Sequence, residues 1–564
     1  MPRLLFLCFL LLWGSCKLEP GYEAVKTAYG ESGMVVSPHP LASQVGLEIL
    51  QEGGNAVDAA IAIQFALAVV YPRAGNLGGG GFMVLRNADG SVASLDYREQ
   101  APAAATAEMY LDSLGNVIPD LSLKGHLAVG VPGTVDGMVK AHERYGKIKD
   151  WKRLVEPAIK LAQNGFRISE TEADRLNLYA ADFEQYSTQE NPFLSRKVWR
   201  PGQWIIQPEL ATTLERIRDQ GESGFYAGET ARLIVEEIAR GGGILTAEDL
   251  IAYNAQWREP LVGDFREYRV ISMPPPSSGG LALLQLLGMV EHRISASSLN
   301  APANSHLLVE AMRRVYADRA EFLGDMDYFP VPLDSLLDSV YLESRMADYN
   351  PNSATQSDSI LAGNVPVKIE SFETTHTSVV DPFGNAVAIT TTLNSNYGCK
   401  VVVGGAGFFL NNEMDDFSIK PGIPNQFGLI GSEANKIEPG KRMLSSMTPT
   451  ILEKDGEIFL VLGTPGGSTI ITSIFQVILQ TTVFDKDLEE AVAAPRLHHQ
   501  WLPDEVWYER GKWDIQWLED MQNMGHKLVE KESLGRIKAI LRDSDGQLIG
   551  VGDPRQPDDD ARGW

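Results

Sequence analysis

The chain of 564 residues has little cysteine, no excess of base, and no long apolar run after its first residues. Its three cysteines are Cys8, Cys16 and Cys399, too few for a disulfide-stapled scaffold. Acidic residues outnumber basic ones by 74 to 49, and the formal net charge is −25. Such a surface repels a phosphate backbone, so no nucleic-acid partner is expected. Beyond the N-terminus the most apolar stretch, residues 56–70, carries Asp58 and Gln64. It is also shorter than the roughly 20 residues a membrane-spanning helix needs. The nine histidines lack ligand spacing, and neither HExxH nor CxxC occurs, so no metal and no cofactor are expected. No GxSxG nucleophile elbow is present. What is there is ample core-forming material: 44% hydrophobic and 22% charged residues exclude a disordered chain. At about 150 residues per domain, length alone suggests three or four domains.

Met1-Pro2-Arg3, an uncharged run over 4–13 and Gly14-Ser15-Cys16 form a basic, apolar and small-residue sequence that reads as a secretory signal over residues 1–15. Leu12 to Cys16 resembles a bacterial lipoprotein signal, in which Cys16 is lipidated and becomes the new N-terminus. An ordinary signal peptide followed by a chance cysteine is the competing reading. Both predict export, to the periplasm or the outer-membrane surface, with membrane contact only through the lipid. With Cys8 removed and Cys16 lipidated, Cys399 has no disulfide partner.

Helical periodicity covers 40–51 and stops at Gly53-Gly54. Asn55 with Asp58 three residues on predicts the cap of an Ala-rich buried helix that ends near Tyr71-Pro72. Gly78 to Gly81 are four successive glycines, whose entropic cost calls for a close backbone approach or an unusual dihedral. Four hairpins are predicted around 87–90, 381–385, 455–456 and 545–546, and Arg98 follows the first of them. Residues 130–350 read as mostly helical scaffold and cover, with amphipathic runs at 151–164, 208–219, 228–240 and 303–323. The segment 350–364 is polar, turn-rich and without apolar anchors, and long loops of this kind are often functional. Helices are expected at 468–483 and 513–524. Antiparallel strands between helices suggest a layered sandwich.

Directly after the polar loop comes Glu373-Thr374-Thr375-His376-Thr377-Ser378-Val379-Val380-Asp381. Threonines favour strands, and that alone accounts for the cluster. The second reading is an N-terminal nucleophile, in which a freed α-amino group serves as the base for its own hydroxyl. Such an amine titrates near 7.7–8, which suits proton transfer at neutral pH. It requires the chain to be cut before Thr374.

Further motifs join this one: Thr390 to Asn394, Asn411 to Ser418, Leu444 to Thr450, Thr464 to Ser468, and upstream Gly54 to Ala60, the glycines before Phe82, and Asp96-Tyr97-Arg98-Glu99. Together with Arg496 to Asp504, this ordered set resembles the γ-glutamyltransferase (glutathione hydrolase) family from about residue 23 to the C-terminus. The resemblance implies a four-layer αββα sandwich of the N-terminal nucleophile hydrolase type. It implies a precursor cut at Glu373–Thr374 into a large subunit, 16–373, and a small subunit, 374–564, intertwined in one catalytic domain. It implies that Thr374 is the nucleophile and that Thr392 hydrogen-bonds it. Arg98 with Ser445 and Ser446 would bind the α-carboxylate of a γ-glutamyl group. Asn394, Glu413 and Asp416 would bind its α-amino group, and the N–H groups of Gly466 and Gly467 would form the oxyanion hole. The substrates implied are glutathione and other γ-glutamyl compounds, with water, an amino acid or a dipeptide as acceptor.

The residue types suit that chemistry. A zwitterionic head needs a cation and anions close together, and arginine offers a carboxylate a two-pronged fork. Gly466-Gly467 stands just before a predicted helix, where free N–H groups and the positive helix end converge. Singly, each residue has a plainer reading: Arg98 as a surface ion pair, Asp415-Asp416 as a cap, the serines and glycines as turns. Of the two aspartates, the family pattern selects Asp416. His376 is read as structural. Two positions depart from common bacterial members: Phe427 stands where a lid tyrosine is frequent, and Glu413 where some have glutamine. The rival readings are a cephalosporin or glutaryl acylase of the same fold and a non-catalytic, lipid-anchored binding protein.

Overall fold

The computed structural model describes residues 21–360, 374–420 and 432–564. The signal segment 1–15, Cys16, Glu373 and Phe427 lie outside the described residues. Two seven-stranded antiparallel sheets form the centre. Their strands, in chain order, are β1 (Thr27–Gly30), β2 (Met34–Ser37), β3 (Gly80–Arg86), β4 (Val92–Tyr97), β5 (Gln256–Arg258), β6 (Leu261–Phe265) and β7 (Tyr268–Ser272), then β8 (Thr375–Val380), β9 (Ala386–Thr392), β10 (Thr450–Lys454), β11 (Glu457–Gly463), β12 (Lys538–Arg542), β13 (Leu548–Gly552) and β14 (Asp560–Gly563). One sheet runs β1-β13-β12-β11-β10-β7-β6 and the other β14-β2-β8-β9-β3-β4-β5. Strands from both sides of the cut expected at Thr374 thus contribute to each sheet. The length-based division into three or four domains gives way to one interleaved sandwich. All four predicted hairpins are present, because each turn signal acts locally.

Helices α1 (Pro40–Gln51) and α2 (Ala56–Val70) cover the outer face of the second sheet. The predicted cap forms: the Asn55 side chain accepts from Asp58 N–H, and the Asp58 carboxylate accepts from Asn55 N–H. Every residue of α2 is buried, and its small alanines permit close packing on α1 and on the sheet. Helices α3 (Gly279–Val290), α4 (Pro302–Phe322) and α5 (Thr469–Thr482) form the opposite layer, with α3 and α5 against the first sheet. The order is therefore helix, sheet, sheet, helix, as expected for an N-terminal nucleophile hydrolase. The core between the sheets draws Met34, Val36, Phe82, Val84 and Ala388 from one side and Val461 and Ile540 from the other. Among the described residues no helix is long and apolar enough to cross a membrane.

Three expectations are corrected in detail. Residues 303–323 were read as amphipathic, yet α4 is buried from Asn304 to Ala320, because it sits between α3 and the helix Ile515–Asn523. Segment 350–360 is anchored after all. Thr355 N–H donates to Glu310 Oε1 at 3.0 Å, Ser357 N–H to Asp504 Oδ2 at 2.8 Å, and Trp501 Nε1–H to the Ser357 carbonyl at 2.9 Å. Ile360 adds a buried apolar contact. The Arg496–Asp504 motif therefore ties down the chain that leads toward residue 373. Third, the histidines lacking ligand spacing include two that the fold brings together. Donor atoms of His306, Glu310 and His526 lie within 4.8 Å of one another. His306 Nε2 faces the Asn350 carbonyl at 2.8 Å, so it carries the proton, and Nδ1 accepts from His526 at 2.7 Å. Glu310 is already engaged by Arg313, Arg314 and Thr355. Those two guanidiniums make the cluster a poor cation site.

Candidate active site

Strand register alone brings the site residues into a row. Thr375 faces Thr391 across β8 and β9, and Gly81 faces Tyr97 across β3 and β4. Thr392 faces Gly80 across β9 and β3. Continuing each antiparallel ladder by one step sets Thr374 opposite Thr392 and Gly80 opposite Arg98. The glycine run makes this row possible. A Cβ at Gly79 would stand 2.1 Å from the Thr392 carbonyl oxygen, one at Gly80 2.5 Å from the Tyr97 carbonyl oxygen, and one at Gly81 2.3 Å from that of Thr390. Close approach, not an unusual dihedral, is what requires glycine there.

The other sheet delivers the facing wall at the same end. Strand β11 ends at Gly463 and runs through Thr464-Pro465 into Gly466-Gly467, just before α5. Gly466 has φ 142° and Gly467 φ 52°, backbone that side-chain-bearing residues rarely adopt. Among the described residues neither N–H donates to a protein acceptor. Ser445 and Ser446 precede β10. One cavity is lined by Thr374, Thr392, Asn394, Arg98, Glu413, Asp416, Ser445, Ser446 and Gly467. The expected residues are thus brought together, with Gly466 next to the lining.

Arg98 is buried, which rules out the surface-pair reading. Its Nη1 lies 2.6 Å from Glu413 Oε2 and 3.4 Å from Glu99 Oε2, and its Nη2 donates to Asp416 Oδ2 at 2.5 Å. The Glu413 contact lacks hydrogen-bond geometry, and among the described residues both Glu413 oxygens, with Glu99 Oε1, have no hydrogen-bond partner. Burial pushes all three acids upward, against the pull of Arg98, and carries Glu99 to about 8. Although burial alone would lower the Arg98 pKa, these carboxylates hold it above its ordinary value. Of the two successive acids, Asp415 turns away and accepts from Ser122 Oγ at 2.6 Å, so Asp416 is the one at the cavity.

Asn394, at φ 72°, turns the chain out of β9. Its N–H donates to Thr392 Oγ1 at 2.7 Å and its side-chain amide to the Asn412 carbonyl at 3.0 Å. Thr392 therefore orders this turn. Among the described residues it makes no hydrogen bond to Thr374, a difference from the expected contact. His376 is structural as read: it lies buried with its ring nitrogens on Thr390 Oγ1 and Ser378 Oγ, and a Cβ at Gly463 would come within 2.3 Å of it. Burial drives its pKa well below the ordinary value, so it is no proton shuttle near neutrality.

Arg319, which lines the cavity, and Glu99, which meets Arg98, are groups the sequence did not single out. Glu99 was within a quoted motif but without a role. Arg319 sits in a stretch read as scaffold, and it is one of three arginines, with Arg313 and Arg314, on a helix that turns out to be buried over most of its length.

The sandwich, with a threonine opening a central strand and free N–H groups across a charged cavity, defines the class: an N-terminal nucleophile hydrolase. A family model for gamma-glutamyltranspeptidase matches residues 42–563. The glutathione hydrolase proenzyme of Pseudomonas aeruginosa is 47% identical over 93% of both chains. That of Escherichia coli is 44% identical, over 95% of this chain and 92% of its own. Among solved structures, Helicobacter pylori gamma-glutamyltranspeptidase is 47% identical over 58% of this chain and 94% of its own, with TM-score 0.56. A cephalosporin acylase from Bacillus halodurans is 26% identical over 97% and 98%, with TM-score 0.83. The chain belongs to the gamma-glutamyltranspeptidase family.

Proposed function

We propose that the chain is a precursor that cuts itself between Glu373 and Thr374 and then works as a γ-glutamyltransferase and glutathione hydrolase. The large subunit would be 16–373 and the small one 374–564. The observation that carries this reading is the position of Thr374 on a cavity that also holds Arg98, Glu413 and Asp416, a cation and anions suited to a zwitterionic head. Cutting frees the Thr374 α-amine, which takes the hydroxyl proton as Oγ attacks the γ-carbonyl carbon. The Gly466 and Gly467 N–H groups receive the developing oxyanion, where one lost donor typically costs about 10²–10³ in rate. The C–N bond breaks, the leaving amine takes the proton, and an ester remains on Thr374. Water or an amino-group acceptor then attacks the ester, which releases glutamate or a new γ-glutamyl amide and restores the hydroxyl.

The substrate carboxylate would dock on Arg98, Ser445 and Ser446, and its ammonium on Glu413, Asp416 and Asn394. Residues 1–15 are read as an export signal, with Cys16 as a lipid-anchored new N-terminus. The likeness to a cephalosporin acylase favours a second reading, but a glutaryl group brings no ammonium to answer three buried carboxylates. Purified protein should show two bands on a denaturing gel and turn over γ-glutamyl anilide faster than glutaryl anilide, with a further gain on adding glycylglycine. Thr374→Ala should stay in one piece. A single uncut wild-type band without anilide turnover would sink the proposal and favour the non-catalytic reading.

A further inference from the structure

Two guanidiniums line the cavity, and they are held in opposite ways. Arg98 is surrounded by three carboxylates. Arg319, buried on α4, has no carboxylate within ion-pair distance among the described residues. Its polar contacts are hydroxyls: Nε donates to Ser278 Oγ at 2.9 Å and Nη2 to Ser446 Oγ at 3.2 Å. A buried cation without an ion pair is costly. Burial lowers the Arg319 pKa to about 10, against the pull of Tyr316 and Asp416, which leaves it charged at neutral pH.

An arginine donates and cannot accept. The Ser278 oxygen, occupied by Arg319, passes its own proton to the Ser445 carbonyl at 2.7 Å. The Ser446 oxygen is likewise occupied, so its proton is free to donate into the cavity. Ser445 Oγ accepts the Met447 N–H at 3.2 Å, and its proton is freed in the same way. Both serine hydroxyls thereby keep their protons available to the cavity, and Ser446 has behind it a guanidinium held by hydroxyls and not by an ion pair. Arg98 does not supply that field alone, since its guanidinium already donates to Asp416 and lies against Glu413 and Glu99.

We propose that Arg319 is the positioning residue for the α-carboxylate of the donor substrate: it fixes Ser446 as a hydrogen-bond donor and supplies the cationic charge that Arg98 spends on its acids. This rests on the γ-glutamyl reading above, and the test separates the two. Three anilides are compared as substrates or competitive inhibitors: γ-glutamyl, glutaryl (no ammonium) and 4-aminobutyryl (no carboxylate). Arg319→Gln should raise KM or Ki for the two carboxylate-bearing compounds at least about tenfold, the scale of a charged hydrogen bond, and leave the third within about twofold. Arg319→Lys should recover part of the loss. Its effect should also shrink in a Ser446→Ala background, because the two act through one contact. Equal losses on all three compounds, or strictly additive effects with Ser446→Ala, would overturn the proposal. Should the glutamine variant fail to fold or to self-cleave, the lysine variant and its Ser446→Ala cycle decide alone. If the wild type leaves γ-glutamyl anilide intact, the function itself has failed. If it turns that compound over and the variants keep its KM, only the role of Arg319 has failed.

Discussion

Among the buried clusters of arginine and carboxylate, two respond to the same burial with opposite results. Near the C-terminus, Arg496 and Arg555 meet Asp553 and Glu509. Each of the four carboxylate oxygens accepts two hydrogen bonds, four of them from the N–H groups of Arg496, Leu534, Ile537 and Arg555. Burial pushes these acids upward, yet their partners win: Asp553 falls to about 2 and Glu509 also moves down. In the cavity, Arg98 faces Glu99, Glu413 and Asp416, several oxygens have no hydrogen bond, and burial prevails so that all three acids move up. In one cluster the charges balance and every carboxylate oxygen is paired. The other has an excess of acid that a substrate ammonium would complete.

The largest expected effect belongs to the finished cluster. Asp553→Ala leaves Arg496 buried without its carboxylate partner and should cost about 3–5 kcal/mol, read as a lowered melting temperature or urea midpoint. Enough folded enzyme, stabilised at low temperature, should keep the wild-type KM. A variant with unchanged stability would show that this cluster is not structural.

Asp416→Ala should act the other way round. Arg98 keeps Glu413 and Glu99, so the melting temperature should hardly move. The loss of one charged contact to the substrate should cost about 2–3 kcal/mol, roughly 30- to 160-fold in kcat/KM. Steady-state kinetics with γ-glutamyl anilide, beside a melting curve, checks both halves.

These contrasts show how unevenly the molecule could be read from its residues. The cap at Asn55–Asp58 and the hairpin at 87–90 are local, and three or four residues decide them. The row of Thr374, Thr392 and Arg98 needed the family motifs, because β8, β9, β3 and β4 come together only through the sheet order. Ser446 and Arg319 lie 127 positions apart, and nothing in a buried helix with an arginine announces a hydroxyl partner at that remove. His306 and His526 escaped notice for the same reason. Asp415 and Asp416 are adjacent, yet only the turn Glu413–Asp416 decides which of them meets Arg98.

The two clusters should also divide the pH axis. Asp553, lowered to about 2 from an ordinary 3.8, adds stability above that ordinary value that is lost as pH falls through the folded pKa. Glu99, raised to about 8 from 4.5, has the opposite sign: its contribution is fully present below 4.5 and is lost as pH rises through 8. Glu99→Gln should therefore flatten the alkaline decline in melting temperature between pH 5 and 9 and leave the acid limb unchanged. Parallel profiles for variant and wild type would mean that Glu99 ionises freely in the fold.

The smallest effect is the sharpest test. Glu413→Gln keeps the size and a carbonyl acceptor but removes one ionisable group from the three gathered on a single arginine. In a balanced cluster that change breaks an ion pair. Here it removes an acid that burial already disfavours and whose oxygens lack hydrogen bonds. Stability should hold within about 1 kcal/mol or rise slightly. KM for γ-glutamyl anilide should increase only a few-fold, less than for Asp416→Ala, since the amide oxygen still accepts from an ammonium. A loss of stability on the scale of Asp553→Ala would make Glu413 a structural partner of Arg98, and the distinction between a finished cluster and a waiting one would fall with it.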